Sequence, residues 1–249
     1  MGAWGTGLFS DDTACDVRDE YLDLIGDGLS DPEATDRLIK GWKDQVIDPD
    51  VAPVFWLALA DTQWKYGRLE NRIRQRAIEV IEGGTDLARW QADPKLVQRR
   101  RVVLSRLKKK LESSQPPKKK IPKRFRDYTD WKVGNVVSYR LQSGQMVLFR
   151  VIGHHTDRGG TSPICELLDW TDEALPGPRR LRRLECRRGM GEWQWVTQFI
   201  IGRQEENELP KDRIGLVAKQ SKVHQKPGGY TVFLWSRLDE ELEKIFGLL

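Results

Sequence analysis

The chain has 249 residues, of which 39% are apolar and 32% charged, with ten tryptophans and a net charge of +5. That length suits one large or two small domains, and no stretch approaches the roughly 18 consecutive apolar residues of a membrane-spanning helix. Cys15, Cys165 and Cys186 are odd in number, widely spaced and without C-x-x-C pairing, which argues against a disulfide framework or a structural zinc site and for a reducing, cytoplasmic setting.

The charge is unevenly placed: −8 over residues 1–90, +10 over 91–130 and +3 over 131–249. The pattern reads as an acidic domain, a basic connector and a mildly basic second domain. No basic n-region followed by an apolar stretch opens the chain, so no secretory signal is expected.

The first nine residues alternate three glycines with Trp4, Thr6 and Phe9. A segment with so little intrinsic order makes sense if its backbone bends closely around something while Trp4 and Phe9 anchor it in a core. Residues 1–18 (MGAWGTGLFSDDTACDVR) resemble the start of the bacterial family catalogued as domain of unknown function 4259. The resemblance implies a helical fold and a bacterial setting, with no activity attached.

Ala14, Val17, Tyr21, Leu24 and Ile25 then fall at helical spacing behind Ser10 and Asp11. Ser30-Asp31-Pro32-Glu33 is a capping box or an Asp cap with Pro in the first turn, followed by Ala34, Leu38, Trp42 and Val46 on one face. Residues 51–60 are almost wholly apolar, as in a helix buried all round, with Gly67 as a left-handed end. Leu69, Ile73, Ala77, Val80 and Ile81 form the next stripe, closed by Gly83-Gly84. Asp93-Pro94 opens a last helix with Leu96, Val103, Leu104, Leu107 and Leu111 inward. Five helices joined by short turns predict an all-α bundle over residues 1–112.

Residues 113–127 (SSQPPKKKIPKRFRD) read as an extended basic linker, with nothing to bury. Beyond it the period changes to two. Val137, Tyr139 and Leu141, then Val147, Phe149 and Val151 across Ser143-Gly144, predict a β-hairpin. Further strand candidates are residues 164–168, 193–201, 213–218 and 230–235, before an amphipathic helix carrying Leu238, Leu242, Ile245 and Phe246. Short strands at this density predict a small barrel or sandwich. The expected fold class is therefore α+β in two domains, with a β domain over residues 128–249.

Residues 131–137 (WKVGNVV) with 144–153 (GQMVLFRVIG) resemble the opening hairpin of the immunity protein 26 family. Those are SH3-like β domains associated with bacterial toxin systems. The resemblance implies a small SH3-like barrel that binds a protein.

Two basic clusters are candidate binding sites. The connector carries Lys118, Lys119, Lys120, Lys123 and Arg124, with Phe125 and Tyr128 beside them. It suits a solvated linker, or phosphates with bases stacked on the aromatics. Arg182, Arg183, Arg187 and Arg188 belong to a second cluster, rich in the guanidinium that grips carboxylates or phosphates in bidentate fashion. It suits docking onto the acidic first domain or an external acidic partner. His154, His155 and Asp157 have no metal-ligand spacing, and adjacent residues of a strand point to opposite faces. No familiar catalytic motif is present, so no catalytic residue, cofactor or metal is assigned. The expectation is a non-enzymatic, cytoplasmic interaction protein with a protein partner, a toxin being one candidate; the alternative is a nucleic-acid-binding module using the connector and β domain.

Overall fold

A computed structural model describes residues 4–187, 198–219, 221–223 and 226–248. The chain divides into two compact units, Met1–Arg124 and Phe125–Leu249.

The first unit contains α1 (Asp12–Gly26), α2 (Asp31–Gly41), α3 (Ala52–Lys65), α4 (Asn71–Gly83) and α5 (Pro94–Glu112). Local chemistry sets the helix starts. The Asp11 carboxylate accepts the Thr13 N–H at 2.9 Å, Glu33 closes a capping box onto the Ser30 N–H at 3.0 Å, and Asp93 accepts from Lys95 N–H at 2.8 Å. Helix α3 lies at the centre, and Phe55, Leu57, Leu59, Tyr21, Leu38 and Ile73 are buried together in one core.

Within that core Arg100 of α5 is 2% exposed and Asp86 fully buried. The guanidinium donates two bonds of 2.7 Å to the two Asp86 oxygens. It also donates to the carbonyls of Thr6 and Gly7 at 3.0 and 3.1 Å. The glycine-rich N-terminal segment therefore bends around a buried arginine. Phe9 packs against the core, with Arg18 over its ring at 5.2 Å. Trp4 does not anchor the segment as expected: it is 72% exposed. The hold comes from backbone carbonyls on Arg100, and a carbonyl contact leaves no side-chain pattern to read.

The stretch expected to be a free linker is laid along the first unit as far as Arg124. The Leu69 N–H donates to Gln115 Oε1 at 2.7 Å, the Lys119 N–H to the Tyr66 carbonyl at 3.0 Å, and Ile121 packs on the helical core. Gly67 makes room for this strap. Its φ is +69°, and an added Cβ would sit 2.3 Å from the Pro116 carbonyl oxygen. Gly67→Ala is therefore expected to lower stability by more than about 1 kcal/mol and to expose residues 113–124 to protease. Denaturation and limited proteolysis with the wild-type pattern would contradict the strap.

The second unit contains β1 (Val136–Arg140), β2 (Met146–Asp157), β3 (Gly160–Asp172), the single-turn α6 (Pro178–Leu181), β4 (Gln198–Gly202), β5 (Ile214–Ala218), β6 (Thr231–Leu234) and α7 (Leu238–Phe246). The strands form one sheet in the order β5-β1-β2-β3-β4-β6. All neighbours are antiparallel except β4 and β6. The barrel expected from strand spacing does not close, because β5 and β6 are the two edges of the sheet. After β6 the chain turns into α7 rather than another strand. Leu238 and Leu242 then cover Tyr139, Phe149, Phe199 and Phe233, so a helix buries the face that closure would have enclosed. On the opposite face Val136, Leu148, Leu168 and Trp170 pack with Leu181, Leu184, Val217 and Ala218. Of the predicted strand over 193–201, residues 193–197 lie outside the described residues.

Candidate groove beside the sheet edge

The second face of the sheet carries a groove of about 540 Å³. Val136 of β1 and Val217 and Ala218 of β5 line it on the sheet side. The β3–β4 connection supplies the rest: Leu175, Pro176, Pro178, Leu181 and Arg182. Ser221 and Lys222, just beyond β5, complete the lining.

The sequence builds this wall in simple steps. Pro176 is buried and Gly177 precedes Pro178, whose fixed φ suits the first position of a helical turn. Arg180 and Leu181 N–H groups close that turn on the Gly177 carbonyl, both at 3.0 Å. Leu181 and Leu184 are thereby turned onto the sheet, and Arg180 lies over the Trp170 ring at 4.4 Å. Below them a buried ion pair fixes the sheet. Arg150 donates to Glu166 at 2.7 Å across β2 and β3, and to the Leu184 carbonyl at 3.2 Å. The loop is thus tied to the strands it covers.

The arginine cluster separates into different duties. Arg182 lines the groove. Arg183 is exposed one residue on. Arg187 is taken up internally: it donates to Asp169 at 2.6 Å and to the Ile245 carbonyl at 3.2 Å, with its guanidinium over Phe246 at 4.5 Å, and so pins the end of α7. Arg188 lies outside the described residues. Among the described residues neither Arg182 nor Lys222 has an acidic partner, which leaves two cations at the rim of an apolar groove.

The connector cations are only partly free. Lys118 pairs with Asp31 at 2.7 Å and Arg124 with Asp23 at 2.8 Å. Lys119 stands over the Tyr66 ring at 5.8 Å. Lys120 and Lys123 are exposed. Lys118 and Arg124 hold the strap to acidic residues of the helices, a role the sequence reading of a solvated linker missed.

The histidines are not brought together. His154 Nε2 lies 2.6 Å from the Trp131 carbonyl, whereas His155 Nδ1 lies 2.6 Å from the Tyr230 hydroxyl and its Nε2 3.3 Å from Asp157. Burial pushes the Cys165 thiol well above its ordinary range, which keeps it protonated and a poor nucleophile. Among the described residues no three His, Cys, Asp or Glu side chains are grouped to hold a metal ion, and no helix is long and apolar enough to cross a membrane.

Sequence reasoning missed Lys222, Leu175, Leu181 and the β5 wall. They come from three segments that no local periodicity connects. No protein-family model matches the chain, and neither a curated protein nor a solved structure matches it.

Proposed function

We propose that the chain is a non-enzymatic, cytoplasmic interaction protein that holds a protein partner in the groove of its second unit. The observation that supports this reading is the groove itself. It joins an apolar lining to Arg182 and Lys222, which have no acidic partner among the described residues, beside β5, an edge of the sheet that the described residues form. Concave apolar surfaces with a few convergent polar groups are the usual form of a binding site, and Arg at such a site is a frequent anchor of protein interfaces. The resemblance of the β1–β2 hairpin to immunity proteins supports a partner from a bacterial toxin system, with the bound surface occluded.

The test is a photo-crosslinking amino acid placed at Lys222 or, as a control, at Arg37 of the first unit, in the full-length protein expressed in its native cells. The expected result is a discrete protein adduct from position 222 that survives nuclease. No adduct at position 222, or an adduct at Arg37 alone, would refute the groove as the interface.

A further inference from the structure

The groove and the sheet edge beside it specify how a partner chain would be held. Backbone hydrogen bonds fix which groups of β5 are available. The Leu141 N–H donates to Gln145 at 2.8 Å and the Val151 N–H to the Asn135 carbonyl at 2.9 Å, so Asn135 and Leu141 face β2. Backbone groups alternate along a strand, so Val137 and Tyr139 also face β2, while Val136 and Ser138 face β5. Their partners there are Ala218 and Gly215, which point back to β1. The same alternation turns the N–H and C=O groups of Ile214 and Leu216 outward, away from the sheet. Leu216 is 50% exposed and Leu175 45%.

Exposed edges of this kind are commonly guarded by charged side chains or proline. The β5 sequence, Ile-Gly-Leu-Val-Ala, has neither. Its one irregularity is the shift in register opposite Val136 and Val137. That shift makes Val217 an extra residue, and both Val217 and Ala218 line the groove. A chain added at the edge therefore meets backbone groups at Ile214 and Leu216 and side-chain space at Val217 and Ala218. Arg182 and Lys222 frame that space with positive charge, and Arg179 and Arg183 are exposed on the neighbouring turn.

We infer that the partner contributes an extended segment whose groove-facing residues, every second one, include both apolar and acidic side chains, and which adds to β5 as a seventh strand. The segment's backbone pairs with Ile214 and Leu216, its apolar side chains enter the groove, and its carboxylates meet Arg182 and Lys222. Backbone pairing supplies the adhesion and the pockets supply the selection, as in other strand-addition complexes. This inference rests on the groove being the interface proposed above.

The test uses three capped seven-residue probes added to isotope-labelled full-length protein. One carries Val and Glu in turn at every second position with Ser between them, so that both face the groove, one carries Val and Gln in the same places, and one is the Val/Glu peptide with alternate backbone nitrogens methylated. The Val/Glu probe is expected to shift the amide resonances of Leu216, Val217 and Ser221. It should bind roughly tenfold more tightly than Val/Gln, the scale of a charge-assisted contact, and N-methylation should abolish binding. Arg182→Gln with Lys222→Gln should bring the Val/Glu affinity down to that of Val/Gln. No shift at β5 with any probe, or binding indifferent to N-methylation, would overturn strand addition. A protein adduct at position 222 alongside either result would leave the groove interface standing and remove only the strand mode, whereas loss of both would remove the interface as well.

Discussion

Arg100→Ala is expected to cost about 3–5 kcal/mol of stability, because it leaves the Asp86 carboxylate buried without its counter-charge. Both side chains are excluded from solvent, at 2% and 0% exposure. The two bonds between them are parallel and 2.7 Å long, a geometry that is strong once formed and leaves a strongly disfavoured charge when half is removed. The substitution also takes two donors from the Thr6 and Gly7 carbonyls. The companion variant separates these effects. Arg100→Met with Asp86→Leu replaces the pair by apolar groups of similar bulk, which can be neutral or stabilising. It should recover most of the lost stability while still releasing the N-terminal segment. Urea denaturation reads the first effect, and new protease cleavage among residues 4–10 reads the second. A loss below about 1 kcal/mol for Arg100→Ala would mean that the pair does not hold the core together.

The same residue shows where the sequence could be read and where it could not. The helices were legible because local chemistry marks several of their ends: the Asp11 and Asp93 caps, the Ser30–Glu33 box, and the left-handed glycines at 67 and 84. Tyr21, Leu38, Ile73 and Leu104 fall on the stripes predicted for them and are buried. Arg100 interrupts the α5 stripe with a charge, and nothing in its neighbours announces a partner 14 residues earlier or carbonyls some 93 residues away. The strap is a similar case. Prolines and lysines look like a solvated linker, yet Gln115, the Lys119 backbone and Ile121 each find a partner on the helices. Long-range pairing of this type leaves no period.

In the sheet, the first hairpin was legible from its alternation. Strands β2 and β3 run further than expected, to Asp157 and from Gly160. There the pairing is carried by backbone, through His154, His155 and Thr156, and polar side chains hide it. The open edge depends on which strands become neighbours, and α7 covering one face is a tertiary choice. Of the candidate site, Arg182 was legible as part of a basic run. Lys222 was not, because it reaches the groove only through the path of β5.

Reversing both rim charges, Arg182→Glu with Lys222→Glu, is expected to weaken partner binding about a hundredfold. Like charges set against each other across an interface cost several kcal/mol, and each 1.4 kcal/mol is about a factor of ten. Arg182 is exposed, and neither residue has an acidic partner among the described residues, so the fold should tolerate the change. Lys120→Gln with Lys123→Gln is the matched control, since those cations are exposed on the strap. Arg187→Gln is a poor choice, because it would release α7 from Asp169 and Ile245.

The most direct measurement is affinity capture by the full-length protein from its native lysate, with and without nuclease, using wild type and these two double variants. The expected result is a discrete protein that survives nuclease, is kept by the Lys120/Lys123 variant and is lost from the Arg182/Lys222 variant. Nucleic acid as the captured species, lost on digestion and dependent on Lys120 and Lys123 rather than on the groove, would contradict it.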